Sequence, residues 1–491
     1  MPKIPSPKEA LQNLKAYVQR TPIWRSMFRH DYKDTPRNRA LMIIGNIWLH
    51  LHPVKVRKHA LNILYTLGMG GISFWLFLML VGTGVLLMFY YRPVVEHAYK
   101  DIKDLLYVVP FGVVLRNVHR WAGELMVLTV ILHMAWVFYR KGYRVPREFN
   151  WCIGVICLVL TLMLSFTGYL LPWDQIAIWA ITIGGNMAAA TPILGSEGPF
   201  SIVSLTNDAR YWLLGGKTVG QNALLRFYVW HCVGFPFLLS TFLMVHFWRV
   251  RKDGFSGPPV KAGEDDKVYT WPHLVKREFL AALLVTVLLL VWAFFIMPPL
   301  EDEANPNKTP NPAKAPWYFV GLQEMLVYFD PWVAGVLLPT LIILGLMAIP
   351  YIDRGPKGEG VLFDWKNRPF AMGFFTYGMV MWFLLIAIGQ FFRGPGWFWF
   401  WPWQEWTIHR VTTLKLHNLP NWLGIAGAAG YFGIGMTAPR FLFKKFYEDL
   451  GPLKYAVAMA FILLAFMLPI KIFLRLWFNV KYIVATPWFN I

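Results

Sequence analysis

An all-α integral membrane protein of about nine transmembrane helices, four of them forming an N-terminal bundle, is the fold class this sequence predicts. Three observations predict it. Of 491 residues, 56% are hydrophobic, 17% aromatic and only 15% charged, a balance too apolar for soluble domains. Nine apolar stretches recur along the chain at the length of about 20 residues that a helix needs to cross about 30 Å of hydrocarbon. Four of the 12 histidines fall inside those stretches, where ionisable side chains are expensive and mark function.

The same composition excludes other classes. Hydrophobicity of this order, 39 unphased glycines and three cysteines fit neither disorder, nor a collagen-like fibre, nor a disulfide-stapled secreted scaffold. Cys152, Cys157 and Cys232 form no CxxC or CxxCH spacing and read as packing residues. The net charge of +20 would suggest nucleic acid in a soluble chain. Here the basic residues gather in the first 64 positions and in alternate loops, as orientation in a lipid membrane requires, so no nucleic-acid partner is expected.

The expected spans are 66–90, 114–138, 151–171, 227–248, 279–298, 332–350, 370–391, 421–437 and 453–474, of which 421–437 is short and glycine-rich. Backbone amides in lipid must be paired internally, which makes these segments helices. The N-terminal segment and the loops near 140–147, 249–277, 354–368 and 440–454 hold 31 of the 47 Lys and Arg residues. The positive-inside rule then predicts a cytoplasmic N-terminus in a prokaryotic cytoplasmic membrane, with loops 91–113, 172–226, 299–331 and 392–420 outside. No cleavable signal peptide is visible, so the chain is expected to start near Met1. The expected organisation is an amphipathic cytoplasmic-surface segment (1–64), a four-helix domain (65–252), a polar linker (253–278) with Gly257-Pro258-Pro259 and Glu264-Asp265-Asp266, a second membrane domain (279–400) and additional C-terminal helices (401–491).

His119 and His133 lie 14 residues apart on the second helix, and His231 and His246 lie 15 apart on the fourth. At 100° per residue these steps return to within about 40° and about 60° of the starting face, so each helix turns both histidines to one side. The steps rise about 21 and about 22 Å, which sets two facing pairs near opposite surfaces of the membrane core. Gly70 and Gly84 on the first helix, and Gly154 and Gly168 on the third, repeat the 14-residue interval. Singly, such a histidine reads as a hydrogen-bonded packing residue and such a glycine as a helix contact. Together they fit two b-type haems beside side-chain-free backbone, His119 and His231 holding the outer iron and His133 and His246 the inner. Imidazole on both sides leaves no open iron position, which suits electron transfer rather than oxygen binding. Arg116, Arg120 and Arg226 are candidate partners for haem propionates. His30, His50, His52 and His59 fall in the N-terminal segment, and His97, His273, His409 and His417 fall in loops without metal-ligand spacing.

Particular strings carry a resemblance over roughly residues 40–400: Phe89-Tyr90-Tyr91-Arg92-Pro93, Val118-His119-Arg120-Trp121, Gly168-Tyr169-Leu170-Leu171-Pro172-Trp173-Asp174-Gln175, Arg226-Phe227-Tyr228 and Ser256-Gly257-Pro258. They resemble the cytochrome b family of Rieske/cytochrome b quinol-oxidising complexes. The 15-residue interval and the Pro-Trp-Asp-Gln form are similar to the bf branch, with the usually separate second half fused on. The resemblance implies two extractable b haems and a Q-cycle between an outer quinol-oxidation site and an inner quinone site. It also implies a Rieske iron–sulfur subunit, a cytochrome c subunit or other external electron acceptor, and a homodimeric core.

In the family, the outer site is framed by the loop after the third helix, here Pro172, Trp173 and Asp174, and by a Pro-Glu-Trp-Tyr motif. That motif appears as Ala315-Pro316-Trp317-Tyr318, so Pro316 replaces the glutamate that takes a quinol proton. Glu324, about two helical turns beyond Pro316, is the expected substitute. The bf branch attaches a further haem through a cysteine two residues before a Gly-Gly pair; here that residue is Gly68, and no covalent haem is expected. Arg249, Arg251, Lys252 and Asp253 are inner-site candidates. The competing readings are a dihaem membrane anchor of a dehydrogenase or hydrogenase, a haem-free proton-coupled transporter and a non-catalytic scaffold.

Overall fold

Apolar runs of this length leave the backbone no water to bond, and they fold as helices. The computed structural model describes residues 6–27, 32–259, 266–355, 357–407, 410–411, 415–487 and 489–491. His30, His409, Glu264 and Asp265 lie outside the described residues. We label the principal helices α1 (Met69–Met88), α2 (Gly112–Tyr139), α3 (Glu148–Leu170), α4 (Gln221–Asp253), α5 (Thr270–Phe295), the short α6 (Trp317–Met325), α7 (Val333–Ile352), α8 (Pro369–Phe391), α9 (Asn421–Leu442) and α10 (Lys444–Phe478).

Eight of these, all but α6 and α9, are long and apolar enough to cross a membrane. The chain is thus an integral membrane protein with eight candidate spans among the described residues, where the sequence suggested about nine. The difference is α9: it is a 22-residue helix, but Gly424, Gly427, Gly430, Gly433 and Gly435 dilute its hydropathy.

Helices α1 to α5 enclose one apolar core that includes Leu76, Val118, Ala122, Met126, Leu239 and Ala293. Buried polar contacts key the packing, with Ser73 Oγ donating to Thr129 Oγ1 at 2.9 Å between α1 and α2, and Trp75 Nε1 to Thr286 Oγ1 at 2.8 Å between α1 and α5. The end of α5 has orphan carbonyls that α2 satisfies. Asn117 Nδ2 donates to the Ala293 carbonyl at 2.9 Å and Trp121 Nε1 to that of Ile296 at 2.8 Å.

At the other end of α2, buried Lys141 pairs with Asp353 at 3.2 Å, while Asp353 also takes Arg368 at 2.8 Å and the Tyr143 hydroxyl at 2.6 Å. The α2–α3 connection is thereby tied to the α7–α8 connection, and the two halves are joined at both ends of α2. Two short antiparallel strands, β1 (Lys55–Arg57) and β2 (Lys267–Tyr269), pin the N-terminal segment to the segment ahead of α5.

Candidate functional site

Helix α4 contains a π-turn over Trp230–Gly234, with the amide of Phe235 bonding the carbonyl of Trp230. A π-turn holds one residue more than an α-turn. The 15-residue interval on α4 therefore spans the phase that 14 residues span on α2, and the residual twist expected between the two histidine steps is taken up by the bulge that carries His231. The rings of His119 and His231 face each other with centroids 6.2 Å apart and planes at 79°.

Each glycine singled out by the 14-residue interval meets one histidine. A Cβ on Gly84 would lie 3.3 Å from His119 Cε1, one on Gly168 2.5 Å from His231 Cε1, one on Gly70 3.0 Å from His133 Cε1 and one on Gly154 3.6 Å from His246 Cε1. The clearance expected for a flat ring is thus seen against the imidazoles themselves.

Two threonines that the sequence reading passed over fix the outer rings. Thr83 Oγ1 donates to the Met79 carbonyl at 2.7 Å and lies 2.9 Å from His119 Nδ1. Thr167 Oγ1 donates to the Met163 carbonyl at 2.8 Å and lies 3.2 Å from His231 Nδ1, which also meets the Leu164 carbonyl at 3.1 Å. With the hydroxyl protons so used, Nδ1 of each histidine carries the hydrogen and Nε2 keeps its lone pair, the tautomer that ligates a metal. The signal was present in the sequence, since each threonine immediately precedes a cradle glycine, Gly84 or Gly168. Around the inner pair, His133 and His246 interact electrostatically and the Asn150 carbonyl approaches His246, but buried His246 Nδ1 has no hydrogen bond of normal geometry.

A cavity of about 260 Å³ opens beside the outer pair, and Arg116, Arg120, Glu124, Tyr169, Pro172 and Asp174 help to line it. Arg120 pairs with Glu124 at 3.1 Å and stacks 4.4 Å from the Tyr169 ring centroid. Arg116 also donates to the carbonyls of Pro298 and Pro299, both at 3.2 Å. Arg226 does not line the cavity; it is exposed and donates to the Trp212 carbonyl. Arg251 donates to the His50 carbonyl, and Arg249 pairs with Asp253 at 2.7 Å.

The loop after α3 meets the loop after α5, whereas the Trp317-Tyr318 segment expected to frame the outer site with it packs on α2 and α3, and neither Trp317, Tyr318 nor Trp173 lines the cavity. Asp174 caps the helix Gln175–Ala189 through the amide of Ala177 at 2.9 Å and accepts from the amide of Glu301 at 3.3 Å. Burial raises the Asp174 carboxyl from its ordinary value, and those two amides partly offset the rise. Trp173 is buried with φ 52°, and its carbonyl accepts from Ala304 at 3.2 Å. Gln175 holds Asn305, its Oε1 accepting from that amide at 2.7 Å. Trp317 Nε1 donates to Glu124 Oε2 at 2.9 Å, and the Tyr318 hydroxyl bonds Ser165.

Glu324 does not line this cavity. It is fully buried and accepts from Arg393 at 2.5 to 3.2 Å, from Trp397 Nε1 at 2.9 Å and from the Tyr328 hydroxyl at 2.8 Å. The helical face it shares with Pro316 turns it toward the end of α8, and the substitute role expected from spacing has no geometric support. Gly68 has φ 63°, a left-handed conformation that favours glycine over cysteine.

A four-helix membrane bundle with a facing pair of histidines, His119 and His231, and a second pair 14 and 15 residues further along the same helices defines a bis-imidazole cofactor class, and the 6.2 Å ring separation of the outer pair matches the roughly 6 Å that two imidazoles on one metal at about 2 Å require. The family description "Cytochrome b/b6/petB" matches residues 54–254 and "Cytochrome b(C-terminal)/b6/petD" matches 303–403. The cytochrome b6 of Prochlorococcus marinus (strain NATL1A) is 42% identical over 197 residues, 40% of this chain and 84% of that one. That of Gracilaria tenuistipitata var. liui is 43% identical over 197 residues, covering 40% and 86%. The chain therefore belongs to the cytochrome b family, whose members bind b-type haems, and it joins the two family regions in one polypeptide. A solved structure titled "Hyperthermophilic respiratory Complex III" shares the fold with a TM-score of 0.59 at 24% identity, over 76% of this chain and 90% of that one.

Proposed function

We propose that this chain is the dihaem cytochrome b subunit of a quinol-oxidising complex of the Complex III type, working with a Rieske iron–sulfur subunit and a cytochrome c or other external acceptor as a homodimer in a prokaryotic cytoplasmic membrane. The observation that carries this reading is the pair of rings of His119 and His231, with centroids 6.2 Å apart and each Nδ1 within 3.2 Å of a threonine hydroxyl. His119 and His231 would hold the outer haem, and His133 and His246 the inner. When bound, such haems supply a one-electron path across the membrane.

The remaining work falls to side chains. Thr83 and Thr167 hold the imidazoles in the ligating tautomer, and Arg116 and Arg120 place positive charge beside the cavity for propionates or substrate oxygens. Trp173 and Asp174 clamp the loop after α5, which with Pro172 lines one side of the cavity, while Trp317 and Tyr318 bring the start of α6 against α2 and α3. Quinol oxidised there would deliver its electrons to the iron–sulfur partner and, through the outer and inner haems, to quinone at the opposite surface.

Haem content per chain by pyridine haemochrome, before and after acidified-acetone extraction, tests this. Two extractable haems with none retained are expected. No haem would reject the electron-transfer reading in favour of a transporter, and retained haem would reject the assignment of Gly68 as a position without covalent attachment.

A further inference from the structure

Quinol oxidation breaks two O–H bonds, so a cavity that performs it needs a proton acceptor. We propose that the Glu124 carboxylate is that acceptor, delivered from α2 to the region where position 316 offers only a proline. This inference rests on the reading of the outer cavity as a quinol-oxidation site.

Three carboxylates line the cavity: Glu124, Asp174 and Glu301. Asp174 is committed to the frame, one oxygen capping a helix and the other anchoring a loop, and it sits on the loop rather than on the helix that carries His119. Glu301 is exposed in that loop. Glu124 sits deeper, with only 17% of its side chain exposed, on the helix that carries His119 and five residues beyond it. Its Oε1 meets Arg120 at 3.1 Å and its Oε2 meets Trp317 Nε1 at 2.9 Å. One donor per oxygen orients the carboxylate and leaves each oxygen further capacity to accept. Glu324, by contrast, receives donors from three side chains and lies off the cavity.

The placement of Trp317 connects this acid to the vacant motif position. Pro316 caps α6, and the next residue's indole crosses to α2 and grips Glu124. Arg120 supplies the counter-charge and stacks on the Tyr169 ring at 4.4 Å, and Tyr169, Asp174 and Glu301 line the same cavity as the half-buried acid.

The step balances as follows. Quinol becomes quinone by losing two electrons and two protons. One electron would pass to the iron–sulfur partner and one to a haem held by His119 and His231. The hydroxyl on the α2 side breaks its O–H bond and the proton forms the O–H bond of Glu124, which would later release it to outer water. The proton of the other hydroxyl would pass to water or to a base of the iron–sulfur partner.

Glu124→Gln and Glu124→Asp in the assembled complex, with short-chain ubiquinol and menaquinol analogues as donors, test the proposal. Glu124→Gln is expected to lower kcat by about 100-fold, the scale of a lost general base, with KM and haem content unchanged. Glu124→Asp is expected to restore part of that loss. Wild-type turnover in Glu124→Gln overturns the proposal, as does loss of haem in both variants, which would make Glu124 a support for the bundle. A native complex that carries two haems yet oxidises neither quinol rejects the quinol-site reading itself.

Discussion

The outer and inner histidine pairs are built on the same helices at the same intervals, yet the protein treats them differently. Outer His119 and His231 are each locked by a threonine through Nδ1, whereas His246 Nδ1 at the inner end is buried without a bond of normal geometry. On α3, Gly168 is pressed close to His231 while Gly154 leaves His246 more room, whereas on α1 the inner Gly70 is the closer, a Cβ there lying 3.0 Å from His133 against 3.3 Å between one on Gly84 and His119. The ends therefore differ in the threonine contacts and in the α3 glycines. The proposed oxidation of quinol at the outer end gives its ligands, cavity and acid reason to keep one geometry.

The strongest way to break the comparison is to remove one ligand from each pair. His231→Ala and His246→Ala should each lower the extractable haem from two per chain to one, with reduced-minus-oxidised spectra showing which is lost. Both haems lost in either variant would show that the pairs are not independent.

Next in size is the buried pair that supports α6. Arg393→Leu strands the Glu324 carboxylate and should cost about 3–5 kcal/mol, read from thermal unfolding of the solubilised complex. Glu324→Gln should lower stability but leave quinol turnover per intact complex unchanged, and a selective fall in kcat would restore Glu324 as a proton acceptor.

The two glycines of α3 differ between the ends. Gly168→Ala should destabilise by about 1–3 kcal/mol through overpacking and disturb the outer haem spectrum, while Gly154→Ala, whose Cβ would meet His246 at ordinary contact distance, should leave the inner spectrum unchanged. Equal effects would mean that the bound cofactor, not the imidazole, sets the clearance at both ends.

The smallest effect is expected at the threonines. Thr83→Val or Thr167→Val keeps shape but removes the Nδ1 acceptor, and should weaken outer haem retention by about 10-fold with no change at the inner haem.

The sequence by itself determined that this is an all-helical membrane protein and picked out the four histidines and four glycines, because helical period and bilayer thickness are local rules that spacing obeys. It did not show that the loop with Trp173 and Asp174 is held by residues 301–304 after α5, while Trp317 and Tyr318 pack on Glu124 and Ser165. Only the tertiary structure decided the partners. Glu124 is one carboxylate among 27 acidic residues until Trp317, 193 positions away, donates to it. Glu324 has a suggestive spacing until Arg393 and Trp397 fill its oxygens. The odd 15-residue interval on α4 cannot be read as in phase until a π-turn is seen to absorb the extra residue. Periodicity fixes the face on which a side chain emerges; which group meets it there is set by the packing of other helices, and hydrogen bonds of about 3 Å are too short-ranged for sequence spacing to specify.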